Sequence, residues 1–183
     1  MIQKELIDDL QLKWGRIQQA MQAQHADACL LSVDVNLYYT TGRIFSGYFY
    51  LPAEGAPWFF VKRPNGLTDD HIEYIRKPEQ IAEIFAARGI PMPEKLLLEA
   101  DELTDIDYIR LQSIFNPKET GNATALMRTL REIKTPWEIS QFRISAEKHA
   151  KTYSEITECF RPGMTDLEFQ YEIEKRMRQN GSI

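Results

Sequence analysis

The chain has few of the residues that usually announce chemistry. Its 183 residues contain two cysteines, Cys29 and Cys159, and no C-x-x-C pair. One falls in a presumed strand and the other in a presumed helix, so two reduced thiols in a cytosolic protein are expected rather than a disulfide framework. The three histidines, His25, His71 and His149, are far apart and none belongs to an H-E-x-x-H pair, which excludes that helical zinc motif. There is no G-x-S-x-G elbow, no Walker loop and no G-x-G-x-x-G, so the common hydrolase and nucleotide-binding signatures are missing. No apolar run reaches the roughly 18 residues of a membrane span. The stretch Met1 to Asp9 is charged and lacks the apolar centre of a secretion signal, which points to the cytoplasm. Without such a signal, the acceptor-like Asn122-Ala123-Thr124 is a chance match to a glycosylation site. Basic residues are outnumbered, 22 Lys and Arg against 27 Asp and Glu, for a net charge of -5. That balance argues against a nucleic-acid partner.

What is present is a succession of helical and extended patterns. At 43% hydrophobic and 27% charged residues, the composition suits a globular chain of one or two domains. Leu6, Leu10, Trp14, Ile17 and Met21 recur at helical spacing and predict a surface helix over about residues 3–24. Ala28 to Val33 is a short apolar run of the kind buried at a sheet centre. Tyr48 to Leu51 and Trp58 to Val61 are aromatic-rich and flank Pro52-Ala53-Glu54-Gly55-Ala56-Pro57, which predicts a hairpin. Pro78-Glu79 opens a helix bearing Ile81, Ile84 and Phe85, closed by Gly89 and Pro91. Lys95 to Glu99 reads as another buried strand. Thr104 caps a helix carrying Tyr108, Leu111 and Phe115, and Asn116-Pro117 stops it. Helices interspersed with strands predict an α/β layered domain with a mixed sheet.

The last third carries helix-start signals. Thr135-Pro136-Trp137-Glu138 is a capping box, with proline at the first helical position, where its missing donor does no harm. Ile139, Phe142, Ala146, Tyr153, Ile156 and Phe160 then recur on one face, and His149 lies in register with them as a packing histidine. Pro162-Gly163 is expected to end this helix. Thr165-x-x-Glu168 is a second capping box, with Met164 placed to staple onto Phe169. Left uncovered, such a face forms a large apolar patch, so a two-fold homodimer is expected. The domain boundary is placed so that residues 1–123 form the N-terminal domain and 124–183 a linker helix and two further helices.

Few residues are candidates for chemistry. Asp69-Asp70-His71 is the only compact cluster with ligand character, and it reads as a solvated turn after Asn65-Gly66. Asp105 and Asp107, with Asp101-Glu102 just before them, are acids at a helix N-terminus, where the macrodipole favours them. Asn36 to Phe45 is the segment best suited to touch a ligand, because it follows a buried strand at the place where α/β sheets put functional loops. Within it Arg43 can pair with a peptide carboxylate, and Tyr38 or Tyr39 can wall a proline-sized pocket. The structural alternative is that Asn36 caps a short helix, the tyrosines pack inward and Gly42 makes a turn.

Taken in order, these segments resemble the Xaa-Pro aminopeptidase, prolidase and creatinase family of pita-bread metallopeptidases. In that family an L-R-x-I-K-[ST]-x-x-E-I segment, a helix, a P-G-M-T-E/D turn and a second helix lead into the catalytic domain. The counterparts are Leu130 to Ile139 and Arg161-Pro162-Gly163-Met164-Thr165-Asp166. Upstream, Asp27-Ala28-Cys29-Leu30-Leu31 is similar to the family's D-A-x-L-[LV] strand. Asn36-Leu37-Tyr38-Tyr39-Thr40-Thr41-Gly42 is similar to N-[VIL]-x-Y-[LT]-T-G, with Arg43 next where phenylalanine is common. Leu97 to Thr104 is similar to the L-G-x-E-x-D-x-L-T region, with leucine in place of the glycine.

The resemblance implies a creatinase/prolidase-type N-terminal domain with a mixed sheet and flanking helices, followed by a helical extension that begins the catalytic domain. It implies a parent enzyme that hydrolyses the bond before proline with two divalent ions (manganese, cobalt or zinc) that activate a water and polarise the carbonyl. The family's ligands lie downstream of the matched motifs, so this chain is expected to be inactive alone, with no catalytic residue and no cofactor of its own. Its implied part is oligomerisation, as a homodimer, and access of a proline-containing peptide. In dimeric members the N-terminal domain of one subunit can approach the active site of the other, which suits Asn36, Tyr38, Tyr39 and Arg43. A peptide- or protein-binding module without peptidase activity, and the N-terminal part of a creatinase-like amidinohydrolase, stay open as alternatives.

Overall fold

The computed structural model describes residues 4–68 and 71–182, so Asp69 and Asp70 of the acidic cluster lie outside the described residues. The chain divides into two compact units, Met1–Ile133 and Lys134–Ile183. The division falls later than the expected 123/124. The helix after residue 123 buries Ala123, Thr124 and Met127, and Ala123 and Met127 belong to the first unit's core.

The first unit runs α1 (Lys4–Gln22), β1 (Ala28–Leu31), α2 (Asp34–Thr41), β2 (Ser46–Pro52), β3 (Trp58–Arg63), β4 (Ile72–Tyr74), α3 (Gln80–Arg88), β5 (Lys95–Leu98), α4 (Asp105–Phe115), β6 (Glu119–Asn122) and α5 (Ala123–Glu132). Its six strands form one mixed sheet in the order β4-β3-β2-β1-β5-β6. β1 is antiparallel to β2 and parallel to β5, as the expected mixed sheet requires.

Strand alternation sends neighbouring side chains to opposite faces, and the two cores follow from it. Cys29, Leu31, Phe49, Leu51, Val61 and Leu97 pack with Ile17 and Met21 of α1, Leu37 of α2 and Met127 of α5. Ala28, Leu30, Tyr50, Phe60, Leu96 and Leu98 pack with Ile81 and Phe85 of α3 and Leu111 and Phe115 of α4. All four residues of β1 are buried, because a central strand covered on both faces has no solvent side. At its centre, burial, with the nearby Glu99 carboxyl adding to it, pushes the Cys29 thiol up to about 12.

The local signals mostly form as expected. Thr104 caps α4 by accepting from the Asp107 N–H, with Asp105 and Asp107 in the first turn. Gly89 closes α3 in the left-handed conformation. Two strands were not anticipated, β4 and β6, and both are short sheet edges. β6 pairs with β5 through Gly121, where an added Cβ would sit 2.5 Å from the Leu97 side chain. Asn122 serves the fold: its side chain caps α5 by accepting from the Thr124 N–H at 2.9 Å and donates to Asp101.

The second unit is a helix pair, α6 (Pro136–Ser154) and α7 (Asp166–Gln179), with a 3-10 turn at Ile156–Cys159. Both capping boxes are formed, at Thr135 and Thr165. α6 stops at Ser154, well before Pro162-Gly163. Near its end the Thr152 and Ser154 hydroxyls donate back to the carbonyls of Lys148 and Lys151, a competition that bends and ends helices. Arg176 and Asn180 then hold the Glu155 carboxylate. His149 is exposed rather than packed, since no apolar layer covers its face. Phe169 meets the Phe160 ring edge-on at 5.8 Å. α7 buries none of its residues.

Candidate functional site

The segment from Asn36 to Phe45 is shaped by the Glu99 carboxyl group at the end of β5. Glu99 is fully buried and its Oε2 accepts from the backbone N–H groups of Ser32 at 2.6 Å and Val33 at 3.0 Å. These precede α2, whose N-cap position, Val33, has no side-chain cap of its own. A carboxyl group from another element thus satisfies donors that a helix start leaves orphaned. Asn36 is therefore not the cap of this helix. Its side chain lies inside it, 3% exposed, with Nδ2 donating to Glu99 Oε1 at 2.6 Å and Oδ1 accepting from Arg131 at 2.7 Å. This buried chain, Glu99–Asn36–Arg131, ties β5, α2 and α5 together.

The C-terminal end of α2 is pinned equally closely. Trp14 Nε1 donates to the Thr40 carbonyl at 2.7 Å, and the Thr40 hydroxyl donates to the Asn36 carbonyl. Gly42 closes the helix at φ 69°, its N–H reaching the Tyr38 carbonyl. A Cβ here would adopt a disfavoured backbone and sit 3.2 Å from Leu6, so the glycine is required.

This frame separates the four candidate residues. Tyr38 points outward and is 57% exposed. Tyr39 is 5% exposed; its hydroxyl lies 3.4 Å from the Leu130 carbonyl and the Lys13 ammonium sits 4.5 Å from its ring centroid. Arg43 is half-buried at a hollow of about 330 Å³ walled by Trp14, Phe45 and Phe59, with His71 on the lining. Tyr38 and Arg43 thus reach solvent, while Asn36 and Tyr39 are buried among the contacts that hold the helix. Sequence reasoning missed Glu99 and Arg131. A lone glutamate closing an apolar strand was the available signal, since such a charge is rarely buried without partners.

A second hollow, an open cleft of about 850 Å³, lies at the same edge of the sheet. It is lined by Ser32 and Asp34, by Ile44 to Tyr48 at the start of β2, by Lys62 to Asn65 at the end of β3, and by Leu103 and Asp107. The candidate segment thus contributes Thr41 and Arg43 to one hollow, Ile44 to the other and Phe45 to both. Among the described residues, no three His, Cys, Asp or Glu side chains come together as a metal site. The described side chains do not form the donor set that a dinuclear centre needs. Nor is any described helix long and apolar enough to cross a membrane.

Comparison with known proteins places this geometry. The model of the creatinase/prolidase N-terminal domain matches residues 13–133. An uncharacterised peptidase of Staphylococcus aureus (strain USA300) is 26% identical over 181 residues, covering 92% of this chain and 50% of the relative. Among solved structures, an Xaa-Pro dipeptidase from Bacillus anthracis superposes with a TM-score of 0.73 at 22% identity, covering 93% of this chain and 49% of that one. An X-Pro aminopeptidase from Thermotoga maritima gives a TM-score of 0.76 at 18% identity, over 92% and 49%. The chain spans about half the length of the curated relatives it matches.

Proposed function

Because the chain belongs to the creatinase/prolidase N-terminal domain family, we propose that it is the non-catalytic N-terminal portion of a metal-dependent Xaa-Pro peptidase of the cytoplasm. The observation that carries this reading is the match along 92% of the chain to half of a peptidase. The two divalent ions and the residues that hold them belong, on this reading, to the other half. On the same reading, the side chains of this half take no step of the hydrolysis.

The part assigned to this half is to shape access for a proline-containing peptide. Tyr38, with Val35 on the same outer face of α2 and Ile44 just beyond it, offers exposed apolar surface. Arg43, which forms no ion pair with any described residue, is available to a peptide carboxylate. Asn36, Glu99 and Arg131 act as positioning residues that hold α2 in place. The helices of the second unit support the same reading. Leu167 and Tyr171 of α7 are 73% and 66% exposed, and Ile139, Phe142 and Ile144 of α6 are also exposed. Each such side chain gains roughly 1.5–3 kcal/mol on burial, so the face is proposed to be covered, by the rest of the enzyme or by a second copy in a homodimer.

The test is made in the complete polypeptide that carries this half. Arg43→Ala and Tyr38→Ala should raise KM for an Xaa-Pro dipeptide by about tenfold, with a smaller effect on kcat, as expected for lost ground-state contacts. Unchanged KM in both variants would overturn the role given to this segment.

A further inference from the structure

We propose that the cleft at the carboxyl edge of β1 and β3 binds a free amino acid or short peptide with both termini charged, at a site separate from the reaction assigned above to the other half. The cleft holds about 850 Å³, within the range of small-molecule sites. Its charges are of both signs. Lys62 and Arg63 end β3 side by side, and neither forms an ion pair with any described residue. The Lys62 ammonium rests 4.8 Å from the centroid of the Tyr48 ring and 3.4 Å from its hydroxyl, so it is oriented by an aromatic side chain rather than neutralised. Asp34 and Asp107, from the first turns of α2 and α4, line the same cleft. Asp107 uses Oδ2 to accept from the Thr104 hydroxyl at 2.7 Å, which leaves its other oxygen for a ligand.

The two N–H groups just before α2, those of Ser32 and Val33, are already taken by Glu99. Lys62 and Arg63 are the cations on the lining that can meet an anionic group, as a charge-assisted contact. A simple anion or polyanion is opposed by Asp34 and Asp107, and a polycation by Lys62 and Arg63. A small molecule carrying an ammonium and a carboxylate across a short apolar body satisfies both pairs, with Ile44, Leu103 and the Tyr48 ring for its side chain.

The experiment is a two-dimensional amide NMR titration of the 183-residue chain with glycyl-leucine. Saturable shifts confined to the amides of Ser32, Gly47, Arg63 and Asn65 are expected at millimolar ligand. N-acetyl-glycyl-leucine, which lacks the ammonium, and glycyl-leucinamide, which lacks the carboxylate, should each bind about tenfold more weakly. A K62Q/R63Q variant should lose the response while its other amides keep their positions, since both side chains lie at the surface. No saturable shift with glycyl-leucine would overturn the proposal. Equal binding of either blocked peptide would do so as well, and equal shifts with inorganic phosphate would reduce the cleft to a simple anion site. None of these readouts depends on peptidase activity, so the cleft and the proposed reaction fail or stand separately.

Discussion

Replacing Glu99 by alanine is the sharpest test of how the first unit is held together. The fully buried carboxyl group accepts from Ser32 N–H, Val33 N–H and Asn36 Nδ2 at 2.6, 3.0 and 2.6 Å, with the Ser32 hydroxyl at 3.3 Å. In Glu99→Ala these donors lose their acceptor, and Asn36 no longer bridges to Arg131. A donor left unsatisfied costs about 1–3 kcal/mol when buried. Since Ser32 and Val33 are only partly buried, three short bonds at the lower end of that range give a loss of about 3–5 kcal/mol. Removing one partner of a buried charged network falls in the same range. Against a total stability of roughly 5–15 kcal/mol, that is a large fraction. Urea denaturation followed by circular dichroism measures it: with a slope of about 2 kcal/mol per M, the midpoint should fall by roughly 1.5–2.5 M. Arg131→Met removes the bond to Asn36 along with the guanidinium's other contacts and should lose at least about 1–2 kcal/mol. If Glu99→Ala shifts the midpoint by less than about 0.5 M, the network is not what holds α2 and the reasoning is refuted.

Three further outcomes follow from the same structure. A chain ending at Ile133 should unfold cooperatively, whereas one ending at Ala123 should be less stable by at least about 4 kcal/mol, because it loses the burial of Met127, Leu126 and Leu130; equal stability would restore the earlier boundary. In a Cys159→Ser background, Cys29 should resist thiol reagents at neutral pH until the chain unfolds, because its thiol is buried and raised to about 12. A raised folded value means that its contribution to stability is full below the ordinary value of 9.0 and is lost as pH rises from there towards about 12, and rapid labelling of the native chain would contradict this. The intact chain should sediment as a dimer at micromolar concentration and the Ile133 truncation as a monomer, since the exposed apolar residues of α6 and α7 are absent from it; monomers in both cases would end the homodimer proposal.

The sequence was most legible where local chemistry decides the structure. Thr104, Thr135 and Thr165 cap their helices as their spacing requires, and apolar runs at Ala28–Leu31 and Lys95–Leu98 are buried strands. Legibility ended where a partner distant in sequence decides. β6 is Glu-Thr-Gly-Asn, with no apolar signal, and is a strand because its backbone pairs with β5. Asn36 looked like a ligand contact because it is polar and near a functional edge. It is buried because Glu99 and Arg131, far away in the chain, supply its partners. His149 failed the other way: helical register put it on an apolar stripe, but among the described residues of its own unit that face stays exposed. Of the candidate residues, exposure divides Tyr38 from Tyr39, a distinction that two adjacent tyrosines cannot reveal in sequence.

The central claim is that this chain supplies one half of an Xaa-Pro peptidase and none of its metal chemistry. The most direct measurement is an Xaa-Pro dipeptide cleavage assay on the purified 183-residue chain with added manganese, cobalt or zinc, run beside the Bacillus anthracis Xaa-Pro dipeptidase as a positive control. The account predicts no release of proline above the blank from this chain under conditions where the control turns over. Metal-stimulated, chelator-sensitive cleavage that co-purifies with the chain would contradict it.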